Sequence, residues 1–347
     1  MDTTPKEPPV ATLADVARHA DVSTATVSRC LNSPAQVGAR TRARVMKAVA
    51  ELNYAPNFGA RALAAKQTNT VGAVIPTMEN AVFARGIQAF QEELGRHGKT
   101  LLIASSAYQE ALEDEQVRAL VARGADALLL IGYDRSPALY EFLEKRSVPT
   151  LVCWAHQPGK PQPAVGFDNA AAMAALARQV IAEGHRHIAC ISAPMGANDR
   201  ARARVDGIRQ ALSEVGRDPE GLFVTEVPYG IETGELALEK TLKSAPDTTV
   251  VMCGNDVLAM GALRAARRMG LRVPEDLSVT GFDDIEIALL AAPALTTVHV
   301  PHREMGRQAA RTLVRMMGRD GAPESLVLPT DIRWRGSLCP PRRSVDA

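Results

Sequence analysis

The stretch Thr12-Leu13-Ala14-Asp15-Val16-Ala17-Arg18-His19-Ala20-Asp21-Val22-Ser23-Thr24-Ala25-Thr26-Val27-Ser28-Arg29-Cys30-Leu31-Asn32 decides how this chain is read. Apolar Leu13, Val16, Ala17 and Ala20 recur at helical spacing, Val22 fills a turn, and Val27 and Leu31 repeat the pattern in a second helix. Ser23 stands where an N-cap belongs, because its hydroxyl can accept from the free N–H groups of a first helical turn. The second helix turns Thr24, Ala25, Ser28 and Arg29 outward. Hydroxyls, a methyl and one guanidinium on a short helix suit the base edges of a DNA major groove. An αα-hairpin inside a core shares this spacing, so the residues downstream carry weight. Residues 37–53 predict a third helix, with Val45, Val49 and Leu52 inward and Arg40, Arg42, Arg44 and Lys47 outward. Pro56 punctuates the chain, and the alanine-rich segment 60–67 follows.

Charge is distributed to match. The 347 residues carry a net charge of only +1, but residues 1–68 hold nine Lys/Arg against five Asp/Glu, and the remainder 31 against 34. A basic head on a mildly acidic body fits a DNA-binding module joined to a ligand-sensing one. The excess is small, so firm binding needs two heads. No run of apolar residues is long enough to span a membrane, and the polar, Pro-rich start predicts no secretory signal, hence a cytoplasmic protein. Five scattered cysteines predict reduced packing residues rather than disulfides or a zinc site. His185-x-His187 lacks a third ligand nearby, so no metal or other cofactor is expected.

After residue 70 the chain alternates short apolar runs with amphipathic helices. Strands are expected at 71–76, 100–104, 127–131, 150–153, 188–192, 223–227, 249–253 and 277–282, with helices between them and a last helix at 303–317. Such alternation implies parallel sheets wrapped by helices, and eight or more strands divide most naturally into two sheets. Ligands of open α/β sheets bind beyond the carboxyl ends of the strands. The residues there are Thr77 to Phe83, Ser105-Ser106, Tyr133, Trp154, Asn198 to Arg204, Tyr229, Asn255-Asp256 and Asp283-Asp284. Aromatic faces, amides and carboxylates suit a polyhydroxylated molecule. Singly, Asn255 and Asp283 could be caps and Trp154 could be core.

On these residues the chain resembles the lactose-repressor/galactose-repressor family of bacterial transcription factors. The resemblance rests on Thr12-Leu13-x-Asp15-Val16-Ala17, Val22-Ser23-x-x-Thr26-Val27-Ser28-Arg29, Leu52-Asn53-Tyr54-x-Pro56-Asn57 and Ala60-x-x-Leu63. It continues in Asn255-Asp256, Gly281-Phe282-Asp283-Asp284 and Pro293-x-Leu295-Thr296-Thr297-Val298. It implies a small all-α helix-turn-helix head (12–56) and a hinge helix (57–68). The α/β body (69–338) is then two Rossmann-like subdomains of the periplasmic-binding-protein type I kind. One subdomain would comprise about 69–166 plus 299–330 and the other about 167–298 plus 331–338, with tails at 1–11 and 339–347.

Roles follow from the resemblance. Arg29, Thr24 and Ala25 would read the half-site, while Ser23, Thr26, Asn32, Gln36 and Thr41 fix the phosphate backbone. Asn57, Ala60 and Leu63 lie on a hinge too short to stay helical alone, and Leu63 would wedge between base steps from the minor groove. Effector residues would be Asn80, Phe83, Trp154, Arg200, Arg204, Tyr229, Asn255 and Asp283. Trp154 stands where many sugar-binding members have an acid, and Arg200 and Arg204 show no obvious carboxylate beside them, which suits an anion. Asn80-Ala81-Val82-Phe83-Ala84, Val165-Gly166-Phe167-Asp168-Asn169 and the stretch from Gly184 to Ala189 look most similar to gluconate-operon repressors. A sugar acid such as gluconate is therefore expected, then a neutral sugar, then a purine. The implied partners are a palindromic double-stranded operator and a second copy of the chain. The C-terminus lacks a heptad, so a homodimer without a tetramerisation helix is expected.

Two other classes compete. A solute-binding protein of a sugar transporter would share the body but need a signal peptide and no basic head. A sugar-processing enzyme would need a phosphate-cradling loop or paired catalytic groups, and neither G-x-x-x-x-G-K-[ST] nor G-x-S-x-G occurs. Asp283-Asp284 is the only close carboxylate pair near the strand ends, and neighbours on one strand diverge.

Overall fold

The computed structural model describes residues 11–55, 67–79, 81–318 and 324–342. The chain divides into two compact units, residues 1–68 and 69–347. In the first unit, α1 (Leu13–His19) begins with a reciprocal cap in which the Thr12 hydroxyl accepts from the Asp15 N–H and the Asp15 carboxylate accepts from the Thr12 N–H. Helices α2 (Thr24–Asn32) and α3 (Ala39–Glu51) follow among the described residues of the unit. Its core is Val16, Ala17, Ala20, Val27, Cys30, Val45 and Ala48. The third helix is shorter than the periodicity predicts, because Val37 is extended after a 3₁₀ turn at Pro34–Gln36, Gly38 serves as the N-cap, and Asn53 has φ +45°.

Among its described residues, the second unit holds two six-stranded sheets. The first is built from β1 (Thr70–Ile75), β2 (Thr100–Ser105), β3 (Ala127–Ile131), β4 (Thr150–Cys153), β5 (Ala164–Gly166) and β11 (Leu326–Val327), in the order β11-β5-β4-β3-β1-β2. The second is built from β6 (Ile188–Ser192), β7 (Phe223–Glu226), β8 (Val250–Cys253), β9 (Ser278–Asp283), β10 (Thr296–His299) and β12 (Asp331–Arg333), in the order β12-β10-β9-β8-β6-β7. All pairings are parallel except β10 with β12. Covered on both faces, β3 and β8 are apolar throughout, and every residue of Ala127–Ile131 and of Val250–Cys253 is buried. The chain changes sheets after β5, after β10 and after β11. Strand β5 was not anticipated; with three residues at Ala164–Gly166 it is too short to show a period.

Helices cover both sheets. Four of them position the site: α4 (Ala81–Arg96), α7 (Asn169–Ala182), α8 (Asp199–Glu214) and α12 (His302–Gly318). Gly86 and Gly306 let α4 and α12 touch backbone to backbone, since a Cβ on Gly306 would strike the Gly86 carbonyl. All five cysteines are free. Among the described residues, no helix is long and apolar enough to cross a membrane.

Candidate nucleic-acid interface and ligand cleft

The head presents one polar helix face. Ser23 Oγ accepts from the Thr26 N–H at 3.1 Å, so α2 starts at the predicted cap. Its hydroxyl also lies 2.9 Å from that of half-buried Thr26. Thr24, Ala25, Arg29, Asn32 and Gln36 are exposed, with Asn32 donating to Ser28 Oγ at 3.2 Å. Arg29 forms no ion pair among the described residues and so keeps its full fork of donors. Thr41 is half-buried, whereas Arg40, Arg42, Arg44 and Lys47 are exposed along α3. Asn57, Ala60 and Leu63 of the expected hinge, and Asn80 of the expected cleft, lie outside the described residues.

In the body, the carboxyl ends of both sheets border a cleft of about 510 Å³. The first sheet contributes Thr77, Glu79 and Tyr108; the second contributes residues 193–198 except Met195, together with Pro228, Tyr229 and Val257. Tyr108 and Tyr229 face each other with ring centroids 5.8 Å apart, tilted by 48°. Burial pushes both phenols above the ordinary tyrosine range, so both are neutral hydrogen-bond donors and acceptors. Tyr108 escaped the sequence reading. Ala107 and Tyr108 both adopt positive φ, 49° and 58°, which turns the ring toward the cleft two residues after the expected strand-end pair. An adjoining cavity of about 220 Å³ is lined by Arg200, Arg135, Glu113 and Tyr108 among others.

Beside the cleft, a ring of hydrogen bonds joins segments far apart in sequence. Arg204 Nε donates to Asn169 Oδ1 at 2.9 Å, and Asn169 Nδ2 donates to the Trp154 carbonyl at 3.0 Å. Trp154 Nε1 donates to His302 Nδ1 at 3.1 Å. An indole N–H can only donate, so His302 Nδ1 is an acceptor and the ring proton sits on Nε2, which points at the Asp283 carbonyl 3.2 Å away. Burial lowers the His302 pKa to about 3, consistent with that neutral tautomer. Asp283 Oδ1 then closes the ring at 3.6 Å from the Arg204 guanidinium and has no hydrogen-bond partner among the described residues. Arg204 also donates to the Gly254 carbonyl at 2.6 Å and lies 3.8 Å over the Phe282 ring. Burial pushes Asp283 up to about 6, against the pull of Arg204 and Arg200. Asp256 is pushed up to about 8 by burial and by Asp283, while hydrogen bonds from Thr297 and Ile285 oppose it.

A second set of bonds runs from α8 to the exit of β3, between the two sheets. Asp199 Oδ2 accepts from the Tyr133 N–H at 2.6 Å, and Arg200 donates to the Ile131 carbonyl at 3.0 Å and to Asp199 at 2.8 Å. Arg202 forks onto Asp134 at 2.7 and 2.8 Å. Arg135, buried against Glu113, the Gly132 and Ile131 carbonyls and Tyr140, stiffens the same loop.

These contacts correct the expectation of two arginines without carboxylates. Asp199 pairs with Arg200 and Asp283 approaches Arg204, so the buried charges balance. Of the expected effector residues, Tyr229 lines the cleft and Arg200 the adjoining cavity. Arg204, Asn255 and Asp283 are buried at 6%, 1% and 2% exposure and do not line either. Asn255 caps the helix Asp256–Arg268, its Oδ1 accepting from the Leu258 N–H at 2.9 Å. Phe83 and Trp154 pack edge-on in the core at 5.5 Å. Asp284 diverges from Asp283: burial opposes its ionisation, yet hydrogen bonds from Arg335 and His299 hold it below the usual range.

Comparisons with known proteins bear on both units. A family model for bacterial regulatory proteins of the lacI family matches residues 12–57, and one for a periplasmic binding protein-like domain matches residues 177–338. The HTH-type transcriptional repressor CytR of Escherichia coli K12 is 33% identical over 335 residues, 96% of this chain and 97% of that protein. The structure of the Lac repressor dimer bound to operator and the anti-inducer ONPF has a TM-score of 0.84 at 26% identity, covering 95% of this chain and 99% of that one. A complex of the transcriptional regulator CelR with cellobiose has a TM-score of 0.70 at 31% identity, covering 94% and 100%.

Proposed function

The chain belongs to the lacI family of bacterial regulatory proteins and is a DNA-binding transcriptional repressor; from that premise we propose that a small sugar acid of the gluconate kind, bound in its cleft, sets its affinity for operator. The observation that carries the reading is the cleft of about 510 Å³ between two tyrosines, with Arg200 and Arg204 near it. Tyrosine faces cover sugar C–H surfaces, and a guanidinium freed from its protein carboxylate can grip an anionic one. A neutral sugar is the second reading. It is favoured by the pairing of Arg200 with Asp199 and of Arg204 with Asp283, and a relative, CelR, is described in complex with cellobiose.

The test is a thermal-shift panel of the purified chain against gluconate and related sugar acids, neutral sugars and purines. A ligand held by the native state raises the melting temperature by mass action. Stabilisation by a sugar acid alone is the expected result; stabilisation by a neutral sugar alone transfers the reading to the second.

On operator, Arg29, Thr24 and Ala25 read base edges while Ser23, Thr26, Asn32, Gln36 and Thr41 hold phosphates, and two copies of the chain bind a palindrome. Leu236, Leu289 and Leu290 are exposed apolar side chains available to a homodimer. We assign the hinge role to Asn57, Ala60 and Leu63, which lie outside the described residues. Leu63→Ala should weaken operator binding about tenfold or more in a gel-shift titration, since the wedge it removes is what favours bent DNA. Ligand stabilisation in the same variant should stay unchanged. Unaltered operator affinity would remove Leu63 from that role.

A further inference from the structure

The segments that enter β6, β7 and β8 surround a second cavity, of about 780 Å³, at the amino edge of the second sheet and so opposite its ligand cleft. We propose that this cavity is a separate ligand site for an organic phosphate monoester, with the phosphate between Arg186 and Arg217 and the organic body on an apolar floor. The inference does not rest on the identity of the cleft's effector.

The floor is Ile188, Leu212 and Leu222, all buried, with half-buried Phe223 beside them. Arg186 follows the end of α7 and Arg217 the end of α8, and both residues line the cavity. Neither forms an ion pair among the described residues, and Arg217 reaches only the His185 carbonyl at 3.4 Å. Burial and the Arg186 charge both lower the Arg217 pKa, the signature of two cations held near each other. Two carboxylates share the lining without relieving this. Asp218 is committed to the Glu220 N–H at 3.0 Å, and Asp247 is exposed; neither comes within ion-pair distance of a guanidinium.

His185 adds no charge. Its Nε2 faces the Cys339 carbonyl at 2.9 Å and must carry the proton, Nδ1 lies 2.8 Å from the Thr249 hydroxyl, and burial lowers its pKa. The unmet electrostatic demand is therefore for an anion, and a phosphate dianion can take a forked contact from each arginine. The apolar floor calls for a monoester rather than free phosphate.

The probes are phenyl phosphate and inorganic phosphate, titrated calorimetrically into the full chain in low-salt buffer. Phenyl phosphate should bind, inorganic phosphate should bind more weakly, and Arg186→Gln/Arg217→Gln should weaken phenyl phosphate about tenfold or more while operator binding is unchanged. Tyr229→Ala, in the cleft, should leave phenyl phosphate affinity intact. Arg186→Gln alone, at an exposed side chain, gives the same direction should the double variant fold poorly. Absence of binding, undiminished binding in both arginine variants, or loss in Tyr229→Ala overturns the proposal; equal affinity for the two probes overturns the monoester assignment.

Discussion

Arg204→Met should abolish the response of operator binding to effector while leaving operator affinity in its absence within about threefold of wild type. The head that contacts DNA is a separate unit, and Arg204 belongs to the buried ring beside the cleft. Methionine keeps much of the apolar bulk over Phe282 but loses the donors to Asn169 and Gly254 and, among the described residues, the only cation approaching Asp283 Oδ1 within ion-pair distance. Removing one partner from a buried pair costs about 3–5 kcal/mol, chiefly because the other charge stays behind.

The pH dependence reports on that carboxylate together with Asp256, whose pKa is also raised. Asp283 has its folded pKa raised, to about 6 from 3.8, so its contribution to stability is fully present below 3.8 and is lost as pH rises through about 6. In Arg204→Met the loss should run to higher pH and be larger, because a cation that lowered the folded pKa is gone. Arg204→Met/Asp283→Asn should recover part of the stability and remove the Asp283 share of the pH dependence, leaving the share of Asp256, whose folded pKa burial also raises, still without an effector response. Normal ligand affinity in Arg204→Met by calorimetry would remove the arginine from the binding role.

What the sequence disclosed and concealed follows from the range of the interactions involved. The cap at Ser23 and the inward set Val16, Val27 and Val45 are local, carried by helical spacing, and are present as read. Parallel strands such as Ala127–Ile131 declare themselves because burial on both faces leaves them no polar positions. Trp154 is different. Its placement is set by His302, 148 residues later, and no pattern around residue 154 reports a hydrogen bond of that length. The pairing of Arg200 with Asp199 was hidden for another reason. Adjacent residues on a helix do not ordinarily face each other, and these two meet because both also bind the loop after β3. Tyr108 was missed through backbone geometry, two consecutive left-handed residues that nothing in Ala-Tyr announces.

That loop supplies the second large effect. Gly132→Ala should lower effector affinity about tenfold and raise hydrogen exchange at the Tyr133 amide. Gly132 has φ +71°, where a Cβ costs about 1–2 kcal/mol. A Cβ there would also collide with the Arg200 guanidinium and the Asp199 carboxylate, both buried. To admit it, the Arg200 and Asp199 side chains must turn away from the loop, breaking the bonds to Ile131 and Tyr133 that tie the second sheet's half to the first. The cleft opens between those halves, so a ligand that touches both must then supply the closing free energy, and its apparent affinity falls by the population of the closed form. Arg202→Ala is the control. Its pair with Asp134 is partly exposed, a class worth about 0–1 kcal/mol, so it should shift affinity no more than about fivefold. If Gly132→Ala binds effector as wild type does while the Tyr133 amide exchanges faster, the contacts of Asp199 and Arg200 serve stability alone, and closure must be governed elsewhere, by the Arg204 ring.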